Sequence, residues 1–330
     1  TTHTGHDDAY YLGFDAAKTQ GIGELCVPTV LGEEVRDFLI TPNLVTFFPY
    51  SESGEIRDLT PLESRFIWPN RTVLRRRIDF GQTPTERGLR WFDHSMFFPK
   101  RFRNRLSISF GEVTTHNHFS LDRGGKVFNR TAPAIKLRPE ASETDYQNIF
   151  GVLNSSLSCL WLKQICFDKG NGGIGGGISN EFWEHRFVYN GGNLADFPLP
   201  ATYPTLVAAA LDALSQRLAA LSPAALTRDV APTSGAFRDA KGAWEATRAR
   251  MMALQEELDW QVYSLYSLHS EDLRVSEDPD DPSIPELALG ERAFEIVLAR
   301  HVAAGEASDE WFKRHNSTPI TEIPAHWSAP

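Results

Sequence analysis

Residues 106–128, LSISFGEVTTHNHFSLDRGGKVF, decide the fold. Residues 106–121 alternate over part of their length and carry the β-branched and aromatic side chains that strands favour. Asp122-Arg123-Gly124-Gly125 reads as a turn, and Lys126-Val127-Phe128 resumes a strand, so a hairpin is expected. Upstream, LVTFFPY (44–50) reads as another strand, stopped by Pro49 and a Ser/Gly turn at 51–54. Residues 62–77 place apolar and basic positions at helical spacing around Trp68-Pro69, and 132–137 reads as one more short strand. Downstream the character changes. Residues 144–167 are an amphipathic helix interrupted at Asn154-Ser155-Ser156. Val207, Leu211, Leu214, Leu218 and Leu221 form one stripe, and Trp244, Met251, Leu258 and Leu265 recur every seven residues. Two such helices pair as an antiparallel hairpin. The expectation is an α+β chain: a mixed, β-rich domain over 1–200, then a helical region over 201–330.

The composition is that of a soluble globular protein. Of 330 residues 41% are apolar and 23% charged, and no run approaches the 18 or so apolar residues of a membrane span. The chain opens TTHTGHDDAYYLG, with no basic-then-apolar leader and no initiator Met. The expectations are a cytoplasmic location and a piece of a longer protein. Three cysteines without CxxC spacing argue against a disulfide framework.

Net charge is −10, which taken alone disfavours nucleic acid. Its distribution reverses that reading. Residues 61–140 hold 16 Lys and Arg against 7 Asp and Glu, inside an otherwise acidic chain. A basic belt of this kind is what a polyanion binder needs. Its clusters are Arg71, Arg75, Arg76 and Arg77, then Lys100, Arg101, Arg103 and Arg105, then Arg123, Lys126 and Arg130. Almost all are Arg, whose guanidinium forks to phosphate or to guanine edges. Arg101, Arg103 and Arg105 share a face if the chain is extended there.

Other motifs carry less. KGNGGIGGG (169–177) lacks the GK[ST] of a phosphate loop and reads as a pliable loop reaching a large ligand, with Lys169 and Asn171 facing phosphate. His116-Asn117-His118 would set both imidazoles on one face of a strand, but no third metal ligand has matching spacing. Asp7-Asp8 has no partner, and Asp239-Ala240-Lys241 matches the nuclease fragment D-x-K only at the level any long chain does. There is no nucleophile elbow, no HExxH, no [DNS]PP[YFW] tetrapeptide and no GxG cofactor turn after a strand, so no complete catalytic set is present.

Several stretches together resemble the C-terminal part of large bacterial adenine-specific DNA methyltransferases. These are the PglX-type enzymes of phage-growth-limitation (BREX) defence and their type IIG/IIL restriction-methylase relatives. VRDFLITPNLVTFFPY, WPNRTVLRRRIDF and ERGLRWFDHSMFF resemble the start of a target recognition domain. ISFGEVTTHNHFSLDRGGKVF and IFGVLNSSLSCLWLKQ resemble a TaqI-like specificity region. KGNGGIGGGI, FPLP and ELDWQVYSLYSL resemble the ending of such proteins.

The resemblance implies recognition of duplex DNA by residues 1–200, with S-adenosylmethionine and the catalytic groups in an N-terminal methyltransferase domain of the parent. No cofactor or catalytic residue is implied in this chain. Expected partners are double-stranded DNA, that N-terminal domain and other phage-defence proteins, with no membrane. The DNA-contacting candidates are Arg71, Arg75, Arg76, Arg77, Arg101, Arg103, Arg105, His116, Asn117, Arg123, Lys126, Lys169 and Asn171. A rival reading from another class is a non-catalytic protein-interaction scaffold of a defence complex, its basic belt neutralised from within.

Overall fold

A computed structural model describes residues 2–36, 38–102, 105–170, 185–227, 231 and 233–327. The chain divides into two compact units. The first holds Thr1–Tyr146 and Ser158–Phe197, and the second holds Gln147–Leu157 and Pro198–Pro330. Helix accounts for 43% and strand for 14%, and the strands gather in several small sheets, which makes the fold α+β.

The first unit is built on short strands. A four-stranded sheet runs in the order β1 (Tyr11–Gly13), β5 (Leu44–Phe47), β2 (Cys26–Val30) and β9 (Val127–Phe128). A hairpin of β3 (Val35–Arg36) and β4 (Leu39–Ile40) stands apart from it. Strand β5 lies inside the sheet and is covered on both faces, so Val45, Thr46, Phe47 and Phe48 are all buried instead of alternating between core and solvent. Phe47 packs with Tyr10, Ile67 and Leu74, and Val45 packs with Ala17 and Ile22. Helices α1 (Phe14–Thr19), α2 (Pro61–Ile67) and α3 (Arg71–Arg76) cover this core. Thr60 caps α2 in a capping box with Glu63, and Pro61 opens its first turn. Trp68-Pro69-Asn70 forms a single 3-10 turn between α2 and α3, as the proline requires.

The quoted stretch folds as a hairpin, but not the expected one. Strands β6 (Ser107–Phe110) and β8 (Phe119–Asp122) pair antiparallel, Ser107 opposite Asp122. Strand β9, after the turn, leaves this ladder and pairs parallel to β2, Thr29 opposite Val127. Strand β10 (Ala134–Ile135) adds to the free edge of β6. The segment between β6 and β8 contributes β7 (Val113–Thr114) to a third sheet with β12 (Arg186–Val188) and β11 (Phe167–Gly170). His116, Asn117 and His118 therefore sit in the bend after β7 and not in a strand, so alternation does not align the two imidazoles. A short helix, α4 (Pro99–Phe102), contains Arg101, so the extended spacing that would join Arg101 to Arg103 and Arg105 is absent at its start.

The expected long helix at 144–167 is broken where Asn154-Ser155 interrupts it, into α5 (Glu143–Leu153) and α6 (Ser156–Ile165). After the short helix α7 (Gly191–Ala195), the second unit is helical. Its main pair is α8 (Thr205–Ala220) and α10 (Ser234–Leu265), packed on each other, with the one-turn α9 (Pro223–Leu226) in the connection. Val207, Ala208 and Leu211 of α8 and Met251, Leu254, Leu258 and Val262 of α10 are buried. The ends of the heptad seam, Trp244 and Leu265, are only half-buried. Helices α11 (Ala293–Ala303) and α12 (Glu310–His315) follow an irregular acidic segment. Among the described residues no helix is long and apolar enough to cross a membrane.

Candidate nucleic-acid interface

A groove of about 660 Å³ opens on the first unit, and its lining gathers cations from stretches far apart in sequence. One wall is aromatic. Phe48 meets Phe97 edge to face at 5.3 Å between ring centroids, and Tyr50 stacks on Phe97 at 4.3 Å. Phe102 closes the set at 5.3 Å from Phe48. Such pairs contribute about 0.5–1.5 kcal/mol each beyond their burial, so this wall is stiff. Behind it the buried His94 imidazole meets the Phe47 carbonyl at 3.0 Å and the Thr2 hydroxyl at 2.9 Å, and Tyr50 Oη accepts from the His94 backbone N–H at 2.9 Å. Burial pushes the His94 imidazole down to about 4, which keeps it neutral.

The other wall is charged. Arg57, Arg101, Arg105, Arg123, Lys126 and Lys136 belong to it, outnumbering the carboxylates Glu24, Glu52 and Asp122 of the same lining. Arg101 and Arg105 are exposed, and among the described residues neither meets a carboxylate within ion-pair distance. Arg101 lies 4.9 Å from the Phe98 ring centroid, which steers its guanidinium along the wall. Arg105 packs on Gly124, where an added Cβ would sit 3.2 Å from Arg105 Cβ. Gly124 also has φ +98°, so the turn needs a glycine for its backbone and for this close approach. Arg123 pairs with Glu143 at 2.5 Å and Lys126 with Asp122 at 2.7 Å. Arg57 is bound to the buried Glu63 through paired guanidinium–carboxylate bonds and serves structure first. Burial lowers the Lys136 ammonium from its ordinary value, while nearby Asp122 opposes that shift.

The groove thus brings together four of the sequence-predicted residues: Arg101, Arg105, Arg123 and Lys126. It leaves out Arg71, Arg75 and Arg76 on α3, His116 and Asn117 in the bend, and the exposed Lys169 on β11. Arg71 stands 4.4 Å from the Trp68 ring centroid instead. Arg77 departs from the expectation of a solvent-facing cation. It is 8% exposed and donates to Tyr10 Oη at 2.9 Å and to the Asp93 carbonyl. The guanidinium ends α3 just past the buried Leu74 and is drawn into the core with it. Arg103 and Asn171, together with most of the glycine run, lie outside the described residues. Lys136 and Arg57 escaped the sequence reading. Lys136 could have been found from the register of β10 on β6, which carries it toward the Asp122 end of the hairpin.

Among the described residues no group of three or more His, Cys, Asp or Glu side chains is placed to hold a metal. The three cysteines are free thiols.

Fold and groove together define an α+β chain whose first unit carries a cationic cleft beside an aromatic wall. The chain is 54% identical over 307 residues to the adenine-specific methyltransferase PglX of Streptomyces coelicolor. That match covers 91% of this chain and 25% of the relative, so the chain spans about a quarter of the protein it matches. This agrees with the resemblance read from the motifs and is consistent with a C-terminal portion of a PglX-type protein. Residues 251–330 also match a family described as a domain of unknown function, DUF7008.

Proposed function

We propose that the first unit grips duplex DNA in the basic groove, as the specificity portion of an adenine-N6 DNA methyltransferase of bacterial phage defence. The observation that carries this reading is the convergence of Arg101, Arg105, Arg123, Lys126 and Lys136 on one cleft from three separate segments spread over residues 101–136. A self-neutralised surface would bind each of these groups to a carboxylate, and Arg101 and Arg105 carry none among the described residues. Phosphate contacts fix the register of the duplex, and a guanidinium freed from carboxylates can fork to guanine O6 and N7.

The relative's name, adenine-specific methyltransferase, supports a methyltransferase role for a parent protein, and we read that role as transfer from S-adenosylmethionine to the adenine N6 amine. The residues of this chain do not fit that cofactor. Parallel pairing among the described residues is confined to two residue pairs of β2 and β9, and β2 leads into the single 3-10 turn Gly32–Glu34, not into an α-helix. The cofactor and the catalytic groups therefore belong, in this reading, to the remainder of the parent, in the cytoplasm. The second unit carries 20 Asp and Glu against 11 Lys and Arg and is a poor surface for DNA. Its role in the proposal is contact with the parent's other domains and with partner defence proteins.

A titration of the 330-residue chain into a fluorescent 24-base-pair duplex tests the reading. Arg101→Ala with Arg105→Ala should weaken binding at least tenfold on any sequence if both hold phosphate. Undiminished binding by the double variant would remove the groove from the account.

A further inference from the structure

Outside the groove, one turn combines exposure, backbone strain and fixed charge. Asp79 and Gln82 exchange backbone hydrogen bonds at 3.0 and 3.2 Å across a two-residue loop, Phe80-Gly81. Both loop residues have positive φ, 55° at Phe80 and 77° at Gly81, as a type I′ turn demands. Asn or Gly is the usual first residue of such a turn, and a bulky aromatic there is an outlier that the surrounding structure must hold in place. The Phe80 side chain gains no burial in return, since the residue is 74% exposed, with Ile78 beside it at 69%.

The base of the turn is held firmly. Arg77 ties it to Tyr10, and Asp79 faces His3 at 3.5 Å. Arg87 stands over the Phe80 ring, 5.1 Å from its centroid. Arg87 is itself fixed by the Ser95 hydroxyl at 2.8 Å and the Ser95 carbonyl at 2.6 Å. The ring is thus a presented aromatic surface backed by a positioned cation, on a helix-to-turn segment that also exposes Arg75 and Arg76.

We propose that Phe80 is an aromatic finger that stacks on a base displaced from the duplex. This rests on the reading that the first unit binds DNA and extends it to a second point of contact. A wedge or stacking platform needs an exposed flat apolar group with cations around it to meet phosphate, which is the arrangement here. An apolar protein-docking face would not need the ring backed and flanked by arginines.

The test uses the 330-residue chain and two 24-base-pair probes, one fully paired and one with a single unpaired adenine at its centre. The unpaired base has its unstacking already done, so the chain should bind that probe about tenfold more tightly. Phe80→Ala and Phe80→Gly should bring the preference within twofold, and Phe80→Trp should keep it. Phe80→Gly also relieves the positive φ, so its thermal midpoint should rise by about 3 °C. That rise separates loss of stacking from loss of folding. Equal affinity of the native chain for both probes, or Phe80 variants that keep the preference, overturns the finger and leaves the groove standing. Binding to neither probe overturns both. Self-association that vanishes in the Phe80 variants while the probe preference survives assigns the finger to a protein contact and overturns it as well.

Discussion

The Lys126 ammonium donates to the Asp122 carboxylate at 2.7 Å, and the other oxygen of that carboxylate accepts from the Gly124 N–H at 3.0 Å. Asp122 is 3% exposed, so the turn that carries Arg123 and Lys126 into the groove is organised by an acid buried in its wall. The acid sets the shape of the turn and cancels part of its charge.

Asp122→Asn keeps an acceptor for the Gly124 N–H while removing the charge. Duplex affinity should rise by about threefold to tenfold at low salt, as Lys126 becomes available to phosphate and a repulsive charge leaves the cleft. Lys126→Ala in the native background should cost less affinity than Arg105→Ala. Fluorescence anisotropy with a short duplex reads both, and a fall in affinity for Asp122→Asn would mean that the turn does not face DNA.

His94 gives the first unit a pH limit. Its imidazole is held near 4 in the fold against about 6.5 when unfolded, so between those values the unfolded chain binds more protons. Stability from this group is full above pH 6.5 and is lost as pH falls toward 4, by roughly 3 kcal/mol in all. Denaturant midpoints measured from pH 7.5 to 4 should fall for the native chain and flatten over that window for His94→Gln. Parallel curves would contradict the buried neutral imidazole.

Asp259 works in the opposite sense in the second unit. It accepts from the Ser156 N–H and the Ser156 hydroxyl, each at 2.6 Å, and so caps the start of α6 from α10. Burial pushes its carboxyl up to about 6, from about 3.9 when unfolded. The folded chain then binds more protons across that window. Its contribution is full below pH 4 and lost as pH rises through 6, about 2–3 kcal/mol in total. The stability difference between the native chain and Asp259→Asn should shift toward the variant by that amount between pH 4 and 7.

Gly151 sits in the last turn of α5, inside a helix that glycine ordinarily weakens. A Cβ at this position would lie 2.7 Å from Ala208 Cβ and 3.2 Å from Pro204 Cγ. Gly151→Ala should therefore destabilise the second unit, by about 1–3 kcal/mol, despite alanine's better propensity. Gly242, on the exposed part of α10 with nothing within 4 Å, is the control, and Gly242→Ala should stabilise. Thermal melts of the two variants should move in opposite directions.

Local features were legible in the sequence because their causes are local. The break at Asn154-Ser155, the strand at Leu44–Phe47 and the pairing of α8 with α10 follow from spacing and breakers alone. What the sequence hid was long-range. Val127 finds its partner at Thr29, almost a hundred residues away, so the turn at 122–125 looked like the tip of a simple hairpin. A run of arginines does not reveal which one turns inward. Arg77 is taken by Tyr10 and Asp93, whereas Arg101 and Arg105 join Arg123, Lys126 and Lys136 only on the folded surface. Phe80-Gly81 was visible in retrospect as a turn dipeptide with an aromatic where Asn is customary.

The salt dependence of duplex binding bears most directly on the groove. With Arg101, Arg105, Arg123 and Lys136 on phosphate, log affinity should fall against log salt with a slope of about −4, and the Arg101→Ala, Arg105→Ala double variant should reduce its size by about 2. A slope near zero, or one unchanged in the double variant, would show that these cations do not hold a double helix.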